Sequence, residues 1–215
     1  LALAHSRWTQ ADDMTLTLEG HGREDALVGE VDVSRTVGWF TTFYPLQLSV
    51  PPQGGLHEAV AAVKKQLAEV PNNGLTFGAA QLIEDAELRT KLANAPQPEV
   101  LFNYMGQLDA GLDAGDWLRI SRADSGSPRG ESGKRLHVLE INCLVANGSM
   151  EINWTFSTNL HRQATIEALS RHFVEVLRAM IARSQAEAQP ATAETGTDDF
   201  GLNRSDFDEI LEELE

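Results

Sequence analysis

A single cysteine, Cys143, in 215 residues excludes a disulfide within the chain and leaves no cysteine-based zinc cluster. No apolar run approaches the roughly 20 residues that span a bilayer, and the first residues show no basic stretch leading into an apolar one. A soluble, cytoplasmic protein with no membrane partner is therefore expected. Positive charge is scarce as well: 17 Lys and Arg stand against 32 Asp and Glu, a formal net charge of -15. A phosphate backbone is bound through clustered Lys and Arg, so nucleic acid is not expected as a partner. Metal-ligand spacing, a Walker loop and a Gly-x-Ser-x-Gly elbow are all missing, so no metal and no cofactor held by this chain is expected. What is present is an ordinary hydrophobic fraction of 42%, enough in a chain of this length for one substantial core.

The charge is uneven along the chain. Residues 192–215 carry nine acidic side chains against one arginine, about half of the net charge. Residues 186–200 are rich in Ala, Glu, Thr and Pro and too poor in apolar side chains to offset the entropy of ordering, so they read as a flexible linker. Apolar spacing returns in residues 201–215. Phe207, Ile210, Leu211 and Leu214 stand at i, i+3, i+4 and i+7, with Ser205 as N-cap and Asp208 three residues on. This predicts a short amphipathic helix with an acidic outer face. Residues 1–185 then form the main folded unit.

Within that unit, Met14, Leu16 and Leu18 alternate with Thr15, Thr17 and Glu19, which predicts a strand with one polar face. Leu46, Leu48 and Val50 predict a second strand, ended by the Pro/Gly-rich stretch 51–55. Val60, Val63, Leu67 and Val70 recur at helical spacing up to Pro71. Residues 75–92 read as mostly helical, and a third strand is expected at 100–104. Asn147-Gly148 is a preferred two-residue turn, since both positions need positive φ. Pairing outward sets Val145 against Met150, Cys143 against Ile152, Ile141 against Trp154 and Leu139 against Phe156. Glu140, Asn142, Glu151 and Asn153 fall on the other face, so one register serves both turn and pattern. Ile166, Leu169, Phe173, Leu177 and Ile181 stripe a helix over 163–184. Residues 122–133 read as a mobile surface loop. Strands alternating with helices in this order predict an α/β sandwich.

A carboxylate at a strand end followed by Gly-His-Gly can face a cleft, because glycine lets the backbone turn sharply and approach a ligand. Read from the residues alone, Glu19 is more simply explained as the partner of Arg23 or Arg35 in an ion pair. Asn103 and Tyr104 are likewise explained as strand-end side chains, and Trp39 as core. Cys143 falls on the hairpin's apolar face as a small buried hydrophobe. His21, beside Arg23 and Glu24 in this motif, reads as part of a polar support network.

Four segments in order change the weighting: Leu18-Glu19-Gly20-His21-Gly22-Arg23-Glu24, Arg35-Thr36-Val37-Gly38-Trp39-Phe40-Thr41-Thr42-Phe43-Tyr44-Pro45, Pro71-Asn72-Asn73-Gly74-Leu75-Thr76-Phe77-Gly78 and Phe102-Asn103-Tyr104-Met105-Gly106. Together they resemble the epimerization domain of nonribosomal peptide synthetases, a branch of the condensation-domain superfamily, where the last motif commonly has Leu at the place of Met105. The resemblance implies a chloramphenicol-acetyltransferase-like sandwich forming one lobe of a two-lobed domain. That family also carries a His-His-x-x-x-Asp-Gly motif in its N-terminal half, whereas the six histidines here (5, 21, 57, 137, 161 and 172) are never adjacent. The chain thus resembles the C-terminal lobe, with the N-terminal lobe as a partner.

The activity implied is interconversion of L- and D-configuration at the Cα of an aminoacyl or peptidyl thioester. The substrate would ride on the phosphopantetheine of a peptidyl carrier protein. Glu19 maps onto the family's acid/base carboxylate. Tyr104 could bind the enolate oxygen or relay a proton, and Asn103 could hold the substrate amide, with Glu19 and Tyr104 expected on one polar strand face. The isolated chain, holding half of an acid/base pair, is expected to be inactive. Two other readings stay open. One is a peptide-bond-forming condensation domain, whose corresponding stretch usually reads closer to Gly-x-Phe-Val-Asn-Thr. The other is a non-catalytic module in which Phe207, Ile210, Leu211 and Leu214 dock a downstream synthetase subunit.

Overall fold

In a computed structural model, residues 1–24, 32–51, 55–95, 97–107, 133–146 and 148–188 are described, together with positions 27, 29, 123 and 126. The expected linker beyond 188, the helix of residues 201–215 and most of the loop 122–133 lie outside the described residues. The fold begins with α1 (Ala2–Thr9) and β1 (Asp13–Gly20), followed by β2 (Thr42–Ser49) and α2 (Leu56–Ala68). A tight turn at Pro71–Gly74 leads into α3 (Leu75–Leu82) and α4 (Ala86–Asn94). Then come β3 (Val100–Gln107), β4 (Leu139–Ala146), β5 (Ser149–Phe156) and α5 (Gln163–Ala188).

The five strands form one mixed sheet in the order β2-β1-β3-β4-β5. The two edges are antiparallel pairs, β1 with β2 and β4 with β5, whereas β1, β3 and β4 run parallel. The β4–β5 register is the one the turn and the apolar pattern demand: Val145 opposes Met150, Cys143 opposes Ile152, Ile141 opposes Trp154 and Leu139 opposes Phe156. Gly148 closes that turn with φ 67°.

The core lies on one side of the sheet. Met14, Leu16, Tyr44, Leu46 and Leu48 cluster with Ala59 of α2 and with Val63, Leu67 and Phe77 packed around them. Leu139, Ile141 and Cys143 cluster with Ile166, Leu169 and Phe173 of α5. Phe173 meets Trp154 edge-on, ring centroids 6.0 Å apart, and Phe102 at 6.5 Å. The short α1 joins the two halves, Ala2 sitting in the first cluster and the fully buried Ala4 in the second. Eight residues make a marginal helix by themselves, and the sequence pattern does not announce this one; packing of its two alanines creates it.

Three expectations are corrected. The helical stretch 75–92 is two helices, because Asp85 caps a new start by accepting hydrogen bonds from the backbone N–H of Glu87 and Leu88. The α5 stripe runs Ile166, Leu169, Phe173 and Val176, and Ile181 is 49% exposed because the helix outruns the sheet it covers. Trp39 is 61% exposed and belongs to no helix or strand. A large apolar side chain is placed inside by an element that turns it inward, and none does so here. No described helix is long and apolar enough to cross a membrane.

Candidate functional site

Glu19 stands at the end of β1 in register with Phe43 of β2 on one side and Asn103 of β3 on the other. It is half-buried, and burial pushes its carboxyl above the ordinary value of 4.5. Among the described residues it makes neither an ion pair nor a hydrogen bond. The ion pair with Arg23 is replaced by a different arrangement. Arg23 donates from Nη1 to the carbonyl of Val33 at 2.8 Å and from Nη2 to those of Thr36 and Gly38 at 2.9 and 2.8 Å. Its guanidinium also lies 4.4 Å from the centre of the Phe40 ring. Arg35 is exposed. Among the described residues no cation holds Glu19 ionised, and its elevated pKa follows from desolvation.

The segment around it is shaped by close backbone approach. Gly22 has φ 63°, and a Cβ there would lie 1.7 Å from the carbonyl oxygen of Phe40, so only glycine lets the chain pass. The N–H of Arg23 donates to Nδ1 of His21 at 3.0 Å, which makes His21 a brace of the loop. Glu24 accepts from Nδ2 of Asn73 at 3.0 Å. Asn72 and Asn73 both take left-handed backbone, φ 51° and 47°, and Gly74 with φ 80° presses on the Tyr44 ring, where a Cβ would fall 1.9 Å from a ring carbon. Three motifs separated in sequence are thus one cluster beside Glu19.

The expected pairing of Glu19 with Tyr104 is corrected by register. Glu19 opposes Asn103, and Tyr104 opposes Cys143, whose side chain lies in the helix-covered core. Adjacent strand residues face opposite ways, so Tyr104 lies across the sheet from Glu19, 43% exposed at the same end of β3. Asn103 is the side chain that shares Glu19's face, and it is 7% exposed. On that face Thr17, 8% exposed, meets Nε2 of His137 through its hydroxyl at 3.0 Å. Thr17 could have been found from strand parity, being two residues before Glu19. His137 precedes β4, and nothing local in the sequence ties it to a strand 120 positions earlier. Cys143 is fully buried, and desolvation pushes its thiol up to about 11, which fits a core side chain and not a nucleophile.

No cluster of three or more His, Cys, Asp or Glu able to hold a metal occurs among the described residues. Phe207, Ile210, Leu211 and Leu214 lie outside them.

The condensation-domain family matches residues 1–197. Over 207 residues, 96% of this chain, the sequence is 40% identical to a linear gramicidin synthase protein of Brevibacillus parabrevis. Over 215 residues it is 39% identical to chondramide synthase cmdD of Chondromyces crocatus. The chain spans 3% and 5% of those proteins. A solved structure of the epimerization domain from the third module of tyrocidine synthetase B matches 86% of this chain and 40% of its own, with TM-score 0.75 and 28% identity. The condensation domain that mediates chain release from the enacyloxin polyketide synthase matches 93% of this chain and 37% of its own at TM-score 0.55, and its 13% identity makes that a likeness of fold.

Proposed function

Because the chain belongs to the condensation-domain family, we propose that it is one lobe of an epimerization domain, moving the α-proton of an aminoacyl or peptidyl thioester carried on a phosphopantetheine arm. The observation that carries this reading is Glu19, a strand-end carboxyl raised by burial and free of any cation among the described residues. A carboxylate of ordinary pKa is a weak base for a Cα proton, even one acidified by a thioester, and desolvation is how a carboxyl is tuned toward that task. Likeness at 28% identity to a solved epimerization domain supports the assignment.

In this mechanism Glu19 takes the proton from one face of Cα and leaves a planar enolate. A second group returns a proton to the other face; the family resemblance assigns that group to a histidine of the N-terminal lobe. Asn103, beside Glu19, holds the substrate amide. Tyr104, whose side chain belongs to the opposite face, has no part in this scheme. The acidic segment with Phe207, Ile210, Leu211 and Leu214 is proposed to dock a downstream synthetase protein.

Deuterium wash-in at Cα in the complete two-lobed domain tests the role of Glu19. Glu19→Gln should slow it by at least about 100-fold, the scale of a lost acid/base group, while loading of the carrier protein persists; unchanged wash-in would overturn the assignment. The family match favours a second reading, peptide-bond formation. Condensation of two carrier-bound substrates without any D-product would establish that one instead.

A further inference from the structure

The sheet register aligns a transverse row across the face that carries Glu19. From β1 outward it reads Glu19, Asn103, Asn142 and Asn153, each opposite the next. Neighbouring strands are about 4.8 Å apart, so the row runs about 14 Å from Glu19 to Asn153. Both apolar clusters that hold the described helices lie on the other face. Two residues away along the strands, the next row of Thr17, Leu101, Glu140 and Thr155 has Thr17 engaged by His137 and Glu140 engaged as well. The asparagine row differs: among the described residues none of its three carboxamides hydrogen-bonds, although Asn103 is 7% exposed and Asn142 half-buried. These three side chains are uncharged, and each offers both a donor and an acceptor.

We infer that Asn103, Asn142 and Asn153 form a hydrogen-bonding track for the peptide portion of a peptidyl thioester whose Cα sits at Glu19. This deepens the epimerization reading and rests on it. A peptide repeats its amide every 3.3–3.6 Å, so a stretch of about 14 Å holds about four residues. The first carboxamide lies one strand spacing from Glu19, where the N–H of the epimerized residue falls. A pantetheine arm fits less well: it has two amides for three carboxamides, and its first amide is set off from Cα by the thioester carbonyl, the sulfur and two methylenes. A free aminoacyl thioester presents an ammonium group, for which the row provides no charge beyond Glu19 itself. The row therefore selects a neutral peptide over a single amino acid.

The experiment compares a tetrapeptidyl and an aminoacyl thioester on the same pantetheinyl carrier protein, reading α-deuterium wash-in by the complete two-lobed domain. Asn142→Leu should raise KM for the peptidyl substrate about tenfold, with kcat within about twofold and the aminoacyl KM unchanged. Asn153→Ala, at an exposed position, should raise the peptidyl KM about threefold in the same selective way, and it carries the test if Asn142→Leu lowers the melting temperature. Equal effects on both substrates, or none on either, would overturn the track. Glu19→Gln that retains wash-in would instead sink the epimerization reading, and an inactive Glu19→Gln beside a silent Asn153→Ala removes the track alone.

Discussion

Glu19 combines a strand-end position with a carboxyl held above its ordinary value of 4.5 by desolvation. A carboxyl with a raised pKa in the folded state binds its proton more tightly there than in the unfolded chain. Its contribution to stability is therefore present below 4.5 and lost as pH rises through the raised value. Glu19→Gln, neutral throughout, should melt at a higher temperature than the parent at pH 8, with the difference gone below pH 4. Thermal melts across pH read this directly, and a gap of opposite sign would mean that Glu19 has a cationic partner after all. The glycines of the neighbouring motifs are distinguishable in the same way. Gly74→Ala forces a Cβ into the Tyr44 ring at a backbone φ of 80° and should cost about 2–4 kcal/mol. Gly78→Ala, in α3 with nothing within 4 Å, should stabilise by about 0.5–1 kcal/mol. Denaturant titration separates the two, and similar losses at both would refute the packing account.

Among the elements, the β4–β5 hairpin was fully legible because a turn dipeptide and a two-residue apolar alternation specify the same register independently. The α5 stripe was legible for three turns and not beyond, since periodicity records which face is apolar but not where the sheet beneath it ends. Ile141→Ala, at a fully buried position in that hairpin, should cost about 3 kcal/mol. Ile181→Ala, 49% exposed, should change stability by less than about 0.5 kcal/mol. Equal costs would place the end of α5 in the core. For the proposed docking helix, a labelled peptide of residues 196–215 should bind the downstream synthetase protein weakly and lose affinity with salt, as coupled folding and an acidic face imply. Leu211→Asp that leaves this binding intact would reject it.

For the molecule as a whole, a sheet covered by described helices on one face leaves Glu19 and the asparagine row on the other. Inversion at Cα needs proton transfer on both faces of an enolate, and these 215 residues contain no adjacent histidine pair to supply the second group. The chain added by itself to an aminoacyl-loaded carrier protein should give no D-product above background; chiral analysis of the hydrolysed thioester checks this. Product at about 1 per second or faster, an ordinary enzymatic rate, would mean that one lobe completes a site.

Local rules decided much of this protein from sequence alone. Alternation fixed the strands and turn chemistry fixed the hairpin, while the carboxylate of the Glu-Gly-His-Gly-Arg-Glu segment was pointed to by the family resemblance and not by a local rule. Tertiary structure decided which of those residues meet. Asn103 and not Tyr104 stands beside Glu19 because β1 and β3 pair in parallel, across a crossover of about 80 residues whose register no local pattern encodes. Arg23 turned from ion-pair partner to loop brace for the same reason. The carbonyls of Val33, Thr36 and Gly38 converge on it only once the chain has folded back, and that convergence leaves the Glu19 carboxylate without a cation among the described residues.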